Sequence, residues 1–221
     1  MQIYQDRHQA GQLLAELLRS YQAQPHTLVL ALPRGGVPVG YEIARSLQLP
    51  LEVFLVRKLG VPKQEELAMG AIAMDDVCVF NQDIIQTLQI SQTLVHREID
   101  KQKRVIAERN QLYRQNRPAP QLTNKTIILV DDGLATGATM RVAVRAIELQ
   151  TPKQIIVAVP VAAADSCQLL AQEVDEVICL QVLEPFYGVG RWYKNFNQVT
   201  DAEVIDLSNK NAIKYPPETV C

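Results

Sequence analysis

The feature that most constrains the fold is a short, largely apolar segment that ends in two adjacent carboxylates. Residues 126–130 are Thr-Ile-Ile-Leu-Val, and Asp131 and Asp132 follow directly. Such a run is typical of a strand buried on both faces, as in a parallel sheet. Small and hydroxylated residues then lead into a helical pattern that begins near Gly137. The segment therefore predicts a strand, a polar loop at its carboxyl end, and a helix.

A second segment near the N-terminus has the same plan. Residues 27–32 form an apolar run, a Gly-rich turn follows, residues 37–47 have helical character, and residues 51–56 are again apolar. Strand, helix and strand in this order predict a βαβ unit and hence parallel strands. We therefore predict an α/β fold, a doubly wound parallel sheet of five strands with helices on both faces. The predicted strands are 27–32, 51–56, 126–130, 154–161 and 176–180.

The rest of the chain divides into connecting segments. The sequence has 221 residues, a length that suits a single domain over 1–221. Residues 57–70 show neither a helical nor a strand periodicity and are predicted to form a loop. Residues 71–80 are predicted to be extended. Residues 83–117 are predicted to form a long helical insertion. Two helices broken near Ser91 are the alternative to a single helix. Residues 181–221 are predicted to form an irregular C-terminal hood.

Charge and composition exclude some classes of function. The formal net charge is -2, so no global positive field argues for nucleic-acid binding. No apolar run approaches the length of about 20 residues that a membrane-spanning helix needs. The N-terminus lacks the basic and then apolar pattern of a signal peptide. The four cysteines show no metal-binding spacing, and a cytoplasmic location is expected.

The polar loop after residue 130 suits a sugar phosphate. Small residues let backbone N–H groups close around an anion, and the N-terminus of the following helix favours negative charge. The Asp131 and Asp132 carboxylates would repel a bare phosphate, so they need another partner. Sugar hydroxyls and a divalent cation both suit them. A phosphate in the loop and ribose hydroxyls against the two aspartates satisfy the whole segment.

This segment, residues 127–140, resembles the signature of the type I phosphoribosyltransferase family. The resemblance implies that Asp131 and Asp132 hold the ribose hydroxyls of 5-phosphoribosyl-1-pyrophosphate (PRPP) and Mg²⁺. It also implies that the loop holds the 5′-phosphate through Ala135, Thr136, Gly137, Ala138 and Thr139. Some members have an aspartate, proposed as a general base, where Ala135 stands. Alanine cannot take that role.

The turn after the first predicted strand resembles the pyrophosphate loop of the same family. Gly35 and Gly36 allow close approach of the backbone, and the guanidinium of Arg34 suits a diphosphate. The resemblance implies a non-proline cis peptide bond between Pro33 and Arg34. Taken alone, an Arg-Gly-Gly turn is also common as a plain strand-to-helix connection.

Residues 56–70 resemble the flexible loop that covers the site in this family. Arg57 and Lys58 are the predicted pyrophosphate contacts, with Lys63 a further candidate and Glu66 near the place of an acid of adenine-type members. Cations here would neutralise the departing pyrophosphate. A solvated surface loop is the alternative.

The acceptor side is predicted to lie in the C-terminal hood. Phe186, Tyr187 and Trp192 are the predicted acceptor-binding residues, because aromatic rings can stack on a flat base. Packing of these aromatics in the core is the alternative. The mixed charges of the helical insertion indicate a solvated face, with a dimer contact or RNA binding as the alternatives.

The resemblance implies an enzyme, a pentosyltransferase dependent on Mg²⁺. It would transfer the 5-phosphoribosyl group from PRPP to a small-molecule nitrogen acceptor, such as a nucleobase, with release of pyrophosphate. Asp131, Asp132, Arg34 and Lys58 are the predicted catalytic residues, and a homodimer is expected. Two alternatives stay open: a non-catalytic protein of this fold that senses PRPP or a nucleotide, and a different phosphosugar ligand.

Overall fold

The computed structural model of the chain describes residues 2–62, 64–115, 117 and 119–210, without the side chains of residues 65, 66 and 75. Within this part the chain forms seven α-helices and eight strands. The helices are α1 (Arg7–Leu17), α2 (Gly36–Leu47), α3 (Gln82–Thr87), α4 (Gln92–Arg114), α5 (Ala138–Glu148), α6 (Ala164–Leu170) and α7 (Asp201–Lys210). The strands are β1 (Thr27–Ala31), β2 (Leu51–Val53), β3 (Val56–Val61), β4 (Gln64–Ala73), β5 (Cys78–Phe80), β6 (Thr126–Val130), β7 (Gln154–Ala163) and β8 (Glu176–Leu183).

A five-stranded parallel sheet forms the centre of the fold. Its strand order is β2-β1-β6-β7-β8, and every pairing is parallel. All residues of β1 and β6 are buried, as expected for central strands covered on both faces. The predicted α/β class with five parallel strands is confirmed.

The prediction of a loop over residues 57–70 is wrong. Strands β3 and β4 form an antiparallel hairpin, and β5 adds a third strand to this second sheet. Leu59 and Val61 are buried on β3, so this strand has a period of two, whereas Met69 and residues 71–73 are buried on β4. Charges and turn formers around Gly60 and Pro62 hide this alternation in the sequence.

The helical insertion is two helices. Ser91 caps α4, since its Oγ accepts a hydrogen bond from the Leu94 N–H at 3.4 Å. Helix α4 packs against β3, β4 and α7. The Arg114 Nε, near the end of α4, donates to Glu52 Oε2 on β2 at 3.1 Å, and both side chains are almost wholly buried. This ion pair fixes the insertion to the edge of the main sheet.

Residues 181–210 of the predicted hood are more regular than predicted, and residues 211–221 lie outside the described part of the chain. Strand β8 continues to Leu183, and α7 occupies residues 201–210. Helix α7 has only one short apolar stripe, in which Val204, Leu207 and Ser208 are buried, so its helical period is weak in the sequence. No helix in the described part of the chain is long and apolar enough to cross a membrane.

A small satellite core attaches the C-terminal segment to the N-terminus. Tyr4, Val161, Leu183 and Tyr193 are buried together in it. The Tyr4 N–H donates to the Trp192 carbonyl at 2.8 Å, and Tyr4 also forms a β-bridge with Tyr193. This contact brings the start of α1 to the carboxyl edge of the main sheet.

Candidate active site

Two loops meet at the carboxyl edge of the main sheet. Ala31 pairs with Val130 in the parallel register of β1 and β6, so the loops that follow these strands begin side by side. The Leu32 N–H donates to the Val130 carbonyl at 2.9 Å. Ligands of open parallel sheets bind outside this edge, where consecutive loops diverge.

Gly35 and Gly36 lie directly against the two carboxylates. A Cβ on Gly35 would be 2.0 Å from Asp132 Oδ2, and one on Gly36 would be 2.7 Å from the Val130 carbonyl oxygen. Both distances are too short for any side chain, so only glycine fits between the loops. The predicted pyrophosphate loop and the predicted ribose carboxylates thus form one continuous surface.

The carboxylate pair is electrostatically costly in the absence of a ligand. Burial raises the pKa of Asp131 well above the usual range of an aspartate, and repulsion from Asp132 raises it further. Burial also raises the pKa of Asp132, although the charge of Arg7 opposes this rise. A cation or hydroxyl donors at this place would relieve the repulsion.

Arg7 is a residue of this site that the sequence did not reveal. Its Nε donates to Asp132 Oδ2 at 2.8 Å, and its Nη1 donates to the Asn197 carbonyl at 2.8 Å. The guanidinium also lies 3.9 Å from the ring centre of Phe196. Arg7 begins α1 and lies 125 positions before Asp132 in the sequence, so no local pattern links the two residues.

The hood contacts the same aspartate through its backbone. The Tyr193 hydroxyl donates to the Asp132 carbonyl at 2.6 Å, and its ring packs on Tyr4 and Phe196. A Cβ on Gly133 would be 2.6 Å from Val189 Cγ1, so the hood also presses on the start of the phosphate loop. The position of Asp132 is therefore fixed by both ends of the described chain.

The predicted phosphate loop is open to solvent, and a hydrogen bond from α6 supports its backbone. Ala135, Thr136 and Thr139 are exposed, whereas Gly137 is buried with a φ of 69°. That left-handed conformation favours glycine and turns the chain into α5. Beneath the loop, the Ser166 hydroxyl donates to the Ala135 carbonyl at 2.5 Å. The first N–H groups of α5, from Ala138 onward, have no partner within the helix and so suit an anion.

Arg34 lies next to a cluster of charges at the start of α7. The predicted cis peptide bond between Pro33 and Arg34 is confirmed. The Arg34 Nη1 is 3.6 Å from Asp201 Oδ1, which also accepts hydrogen bonds from Tyr113 at 2.5 Å and Arg109 at 2.9 Å. The hydrogen bond from Tyr113 and the two guanidinium charges lower the pKa of Asp201.

Arg57 and Lys58 lie on β3 rather than in a loop. Both line a groove of about 1290 Å³ between β3 and α4, whose wall also includes Pro33 and Thr139 of the two loops. The Arg57 Nε donates to Gln102 Oε1 on α4 at 3.1 Å. The Lys63 residue and the Glu66 side chain, also named from the sequence, lie outside the described part of the chain.

The three aromatic residues predicted on the acceptor side have different surroundings. Phe186 and Trp192 pack against the satellite core, and the Trp192 Nε1 is buried without a hydrogen-bond partner among the described residues. Tyr187 is 68% exposed, and the Arg191 guanidinium lies 5.0 Å from its ring centre. The structure therefore does not gather these three side chains into one binding surface.

The site suits Mg²⁺ only together with a ligand. Among the described residues, no cluster of three or more His, Cys, Asp or Glu side chains has metal-binding geometry. Mg²⁺ usually binds through one or two carboxylates, substrate phosphates and water. Asp131 and Asp132 supply two carboxylates, and Arg7 compensates the charge of Asp132. They fit a cation that arrives with a phosphorylated ligand.

The fold and the site define an α/β protein with two polar loops at the carboxyl edge of a parallel sheet, and known proteins are similar to it. The phosphoribosyl transferase domain family matches residues 2–190. Two Mycobacterium tuberculosis proteins, whose names place them among the phosphoribosyl transferases, are 40% identical over 205 residues, or 93% of this chain. The chain spans 46% of the length of these relatives.

A solved structure is also similar over nearly the whole chain. The crystal structure of TT1426 from Thermus thermophilus has a TM-score of 0.86 and 37% identity, covering 96% of this chain and 100% of that one. The chain belongs to the phosphoribosyl transferase family, a class of transferases.

Proposed function

We propose that this domain transfers the 5-phosphoribosyl group of PRPP to a nitrogen acceptor, with release of pyrophosphate and with a requirement for Mg²⁺. The observation that carries the proposal is the contact between the two loops. Gly35 and Gly36 lie against Asp131 and Asp132, so a ribose at the carboxylates would have its pyrophosphate beside Arg34. Membership of the phosphoribosyl transferase family supports the same class of reaction.

Different groups in the site would bind the 5′-phosphate, the ribose and the pyrophosphate of PRPP. The loop at Ala135–Thr139 would bind the 5′-phosphate through backbone N–H groups and the Thr136 and Thr139 hydroxyls. Asp131 and Asp132 would accept hydrogen bonds from the ribose 2′- and 3′-hydroxyls. Mg²⁺, when bound, would neutralise charge on the pyrophosphate and the carboxylates.

In the transfer step, the bond between ribose C1 and the pyrophosphate oxygen breaks and a bond from C1 to the acceptor nitrogen forms. The electron pair of the broken bond leaves with pyrophosphate. Positive charge develops on the ribose ring, where the Asp131 and Asp132 carboxylates stabilise it. Negative charge grows on pyrophosphate, near the cations Arg34 and Lys58. Ala135 cannot accept a proton, so an acceptor that enters as an anion fits this site without a base.

The proposal is tested by following pyrophosphate release with PRPP, Mg²⁺ and a panel of nitrogen acceptors. Release with one acceptor and none without it would support transfer and identify the acceptor. The matched variant is Arg34→Ala, which should weaken pyrophosphate binding more than ribose 5-phosphate binding. PRPP binding with no release for any acceptor would contradict transfer and favour a sensor. Equal losses for the two ligands would contradict the role of Arg34.

A further inference from the structure

The groove between β3 and α4 is larger than pyrophosphate binding requires. Its volume of about 1290 Å³ exceeds the roughly 300–1,000 Å³ that is typical of small-molecule sites. Its lining on α4 extends from Thr93 to Val105, which at 1.5 Å per residue is about 18 Å. Pro33 and Thr139, which belong to the two loops of the candidate active site, also line the groove. The groove is therefore a continuation of the candidate active site.

Cations predominate along this groove. Its charged lining residues, histidine aside, are Arg57 and Lys58 on β3, and Arg97, Glu98, Asp100, Lys101 and Arg104 on α4. Among the described residues, five cations and two carboxylates thus line the groove. Arg97, Lys101 and Arg104 are spaced i, i+4 and i+7, so they share one face of the helix. Asp100 lies on the same face, three residues after Arg97 and four before Arg104, and it opposes part of their charge.

Glu98, one of the two carboxylates, belongs to a hydrogen-bond network that reaches both α4 and β3. Glu98 Oε1 accepts from Gln102 Nε2 at 2.7 Å, and the Lys101 Nζ is 3.6 Å from Glu98 Oε2. The same Gln102 accepts from Arg57 on β3. Gln102 is buried, so this network holds β3 and α4 at a fixed spacing. Arg97 and Arg104 lie on either side of it along the helix.

We propose that the face of α4 formed by Arg97, Lys101 and Arg104 is a second anion-binding subsite, which takes a phosphate or carboxylate group beside bound PRPP. The inference rests on the proposed function only in placing PRPP at the neighbouring loops. The anionic group belongs either to the acceptor or to a separate molecule, and both present the same chemistry to the groove. Charge-assisted hydrogen bonds to three cations would give this subsite its affinity.

The first part of the test measures anion binding without turnover. Inorganic tripolyphosphate is titrated calorimetrically into the protein alone and into the protein with PRPP and Mg²⁺, at 0.15 M salt, where the screening length is about 8 Å. The groove variant carries Arg97→Gln, Lys101→Gln and Arg104→Gln. The control variant carries Arg19→Gln, Lys103→Gln and Lys210→Gln, which change the net charge equally. Arg19 and Lys210 lie in exposed ion pairs away from the groove, and Lys103, on α4, pairs with Asp76 and does not line the groove.

We expect the groove variant to bind tripolyphosphate about tenfold or more weakly, and the control to stay within about twofold of the original protein. Circular dichroism and the thermal midpoint establish that both variants fold. Ribose 5-phosphate affinity should be unchanged in both, because that ligand does not reach the groove. Equal tripolyphosphate affinity in the two variants would overturn the proposal.

The second part identifies the source of the anion. Pyrophosphate release is compared for uracil and orotate, nicotinamide and nicotinate, and aniline and anthranilate, pairs in which one member carries a carboxylate. A preference for the carboxylate of about tenfold or more, lost in the groove variant only, assigns the anion to the acceptor. Tripolyphosphate binding that depends on the groove, without such a preference, assigns it to a separate molecule. If PRPP neither binds nor reacts, the proposed function fails, while the titration of the protein alone still decides on the groove.

Discussion

The Arg7 guanidinium lies 2.8 Å from Asp132 Oδ2, and the two side chains are only 10% and 15% exposed. This ion pair joins the first turn of α1 to the end of β6, and no other described residue forms an equivalent ion pair with Asp131. The two adjacent aspartates therefore have different electrostatic environments. One is compensated by the protein, whereas the other carries most of the uncompensated cost of burial.

We predict that Arg7→Gln lowers the free energy of unfolding by about 1.5–3 kcal/mol, because a partly buried carboxylate loses its charged partner. Urea denaturation at pH 7 measures the loss. In an Asp132→Asn background the same change should cost much less, since that carboxylate is gone. Arg19→Gln, which breaks an exposed pair with Glu16, is the control and should cost about 0–1 kcal/mol. An undiminished loss in the Asp132→Asn background would rule out the ion pair as the cause.

We predict that Asp131→Asn stabilises the unliganded protein and weakens PRPP binding. Burial raises the pKa of Asp131, so folding favours its protonated form and the ionised form costs stability. The stabilisation should be largest at pH 8. It should shrink as the pH falls through the raised pKa of the native state, because the aspartate then becomes neutral as asparagine is.

The thermal midpoint between pH 4 and pH 8 measures this effect. Asp100→Asn, an exposed substitution on α4, is the control. A destabilised Asp131→Asn protein at pH 8 would contradict the electrostatic account.

Asp201 should compete with the ligand for Arg34. The pair is half exposed and 3.6 Å apart, so its contribution is at most about 1 kcal/mol. We predict that Asp201→Asn tightens pyrophosphate binding by up to about fivefold. Calorimetric titration with pyrophosphate measures it, and Asp206→Asn, in an exposed pair on the same helix, is the control. Weaker binding in Asp201→Asn would mean that this carboxylate positions Arg34 instead of competing for it.

The contact between the loops makes Gly35 sensitive to a single methyl group. A Cβ there would meet Asp132 Oδ2 at 2.0 Å, so Gly35→Ala should destabilise the protein by about 1–3 kcal/mol and impair PRPP binding. Gly137→Ala is the contrast, since its Cβ meets no atom closer than 3.5 Å and its cost arises from the positive φ alone. Urea denaturation compares the two variants. An unaffected Gly35→Ala protein would contradict the close packing of the loops.

The sequence predicted what is encoded locally. The buried strand that ends at Asp131, the glycines that follow β1 and the five parallel strands all follow from short patterns of burial and turn chemistry. The hairpin over residues 56–73 escaped prediction because Gly60 and Pro62 and nearby charges interrupt its alternation. Helix α7 escaped because only a few of its residues reach the core.

Contacts between distant segments were beyond the sequence. The pairing of Arg7 with Asp132 joins residues 125 positions apart, and the sequence around neither residue indicates the other as its partner. The cations of α4 have the spacing of any solvated helix, and only the position of β3 opposite them makes a groove. The predicted aromatics of the hood show the same limit, because Phe186 and Trp192 pack against a satellite core that includes the N-terminal Tyr4.

The central claim is that the two loops form a PRPP site, and calorimetric titration with PRPP, with and without Mg²⁺, tests it most directly. We predict binding that depends on Mg²⁺ and that falls steeply in a protein carrying both Asp131→Asn and Asp132→Asn, while its circular dichroism spectrum is unchanged. Absence of PRPP binding in the original protein, or unchanged affinity in the double variant, would contradict the account.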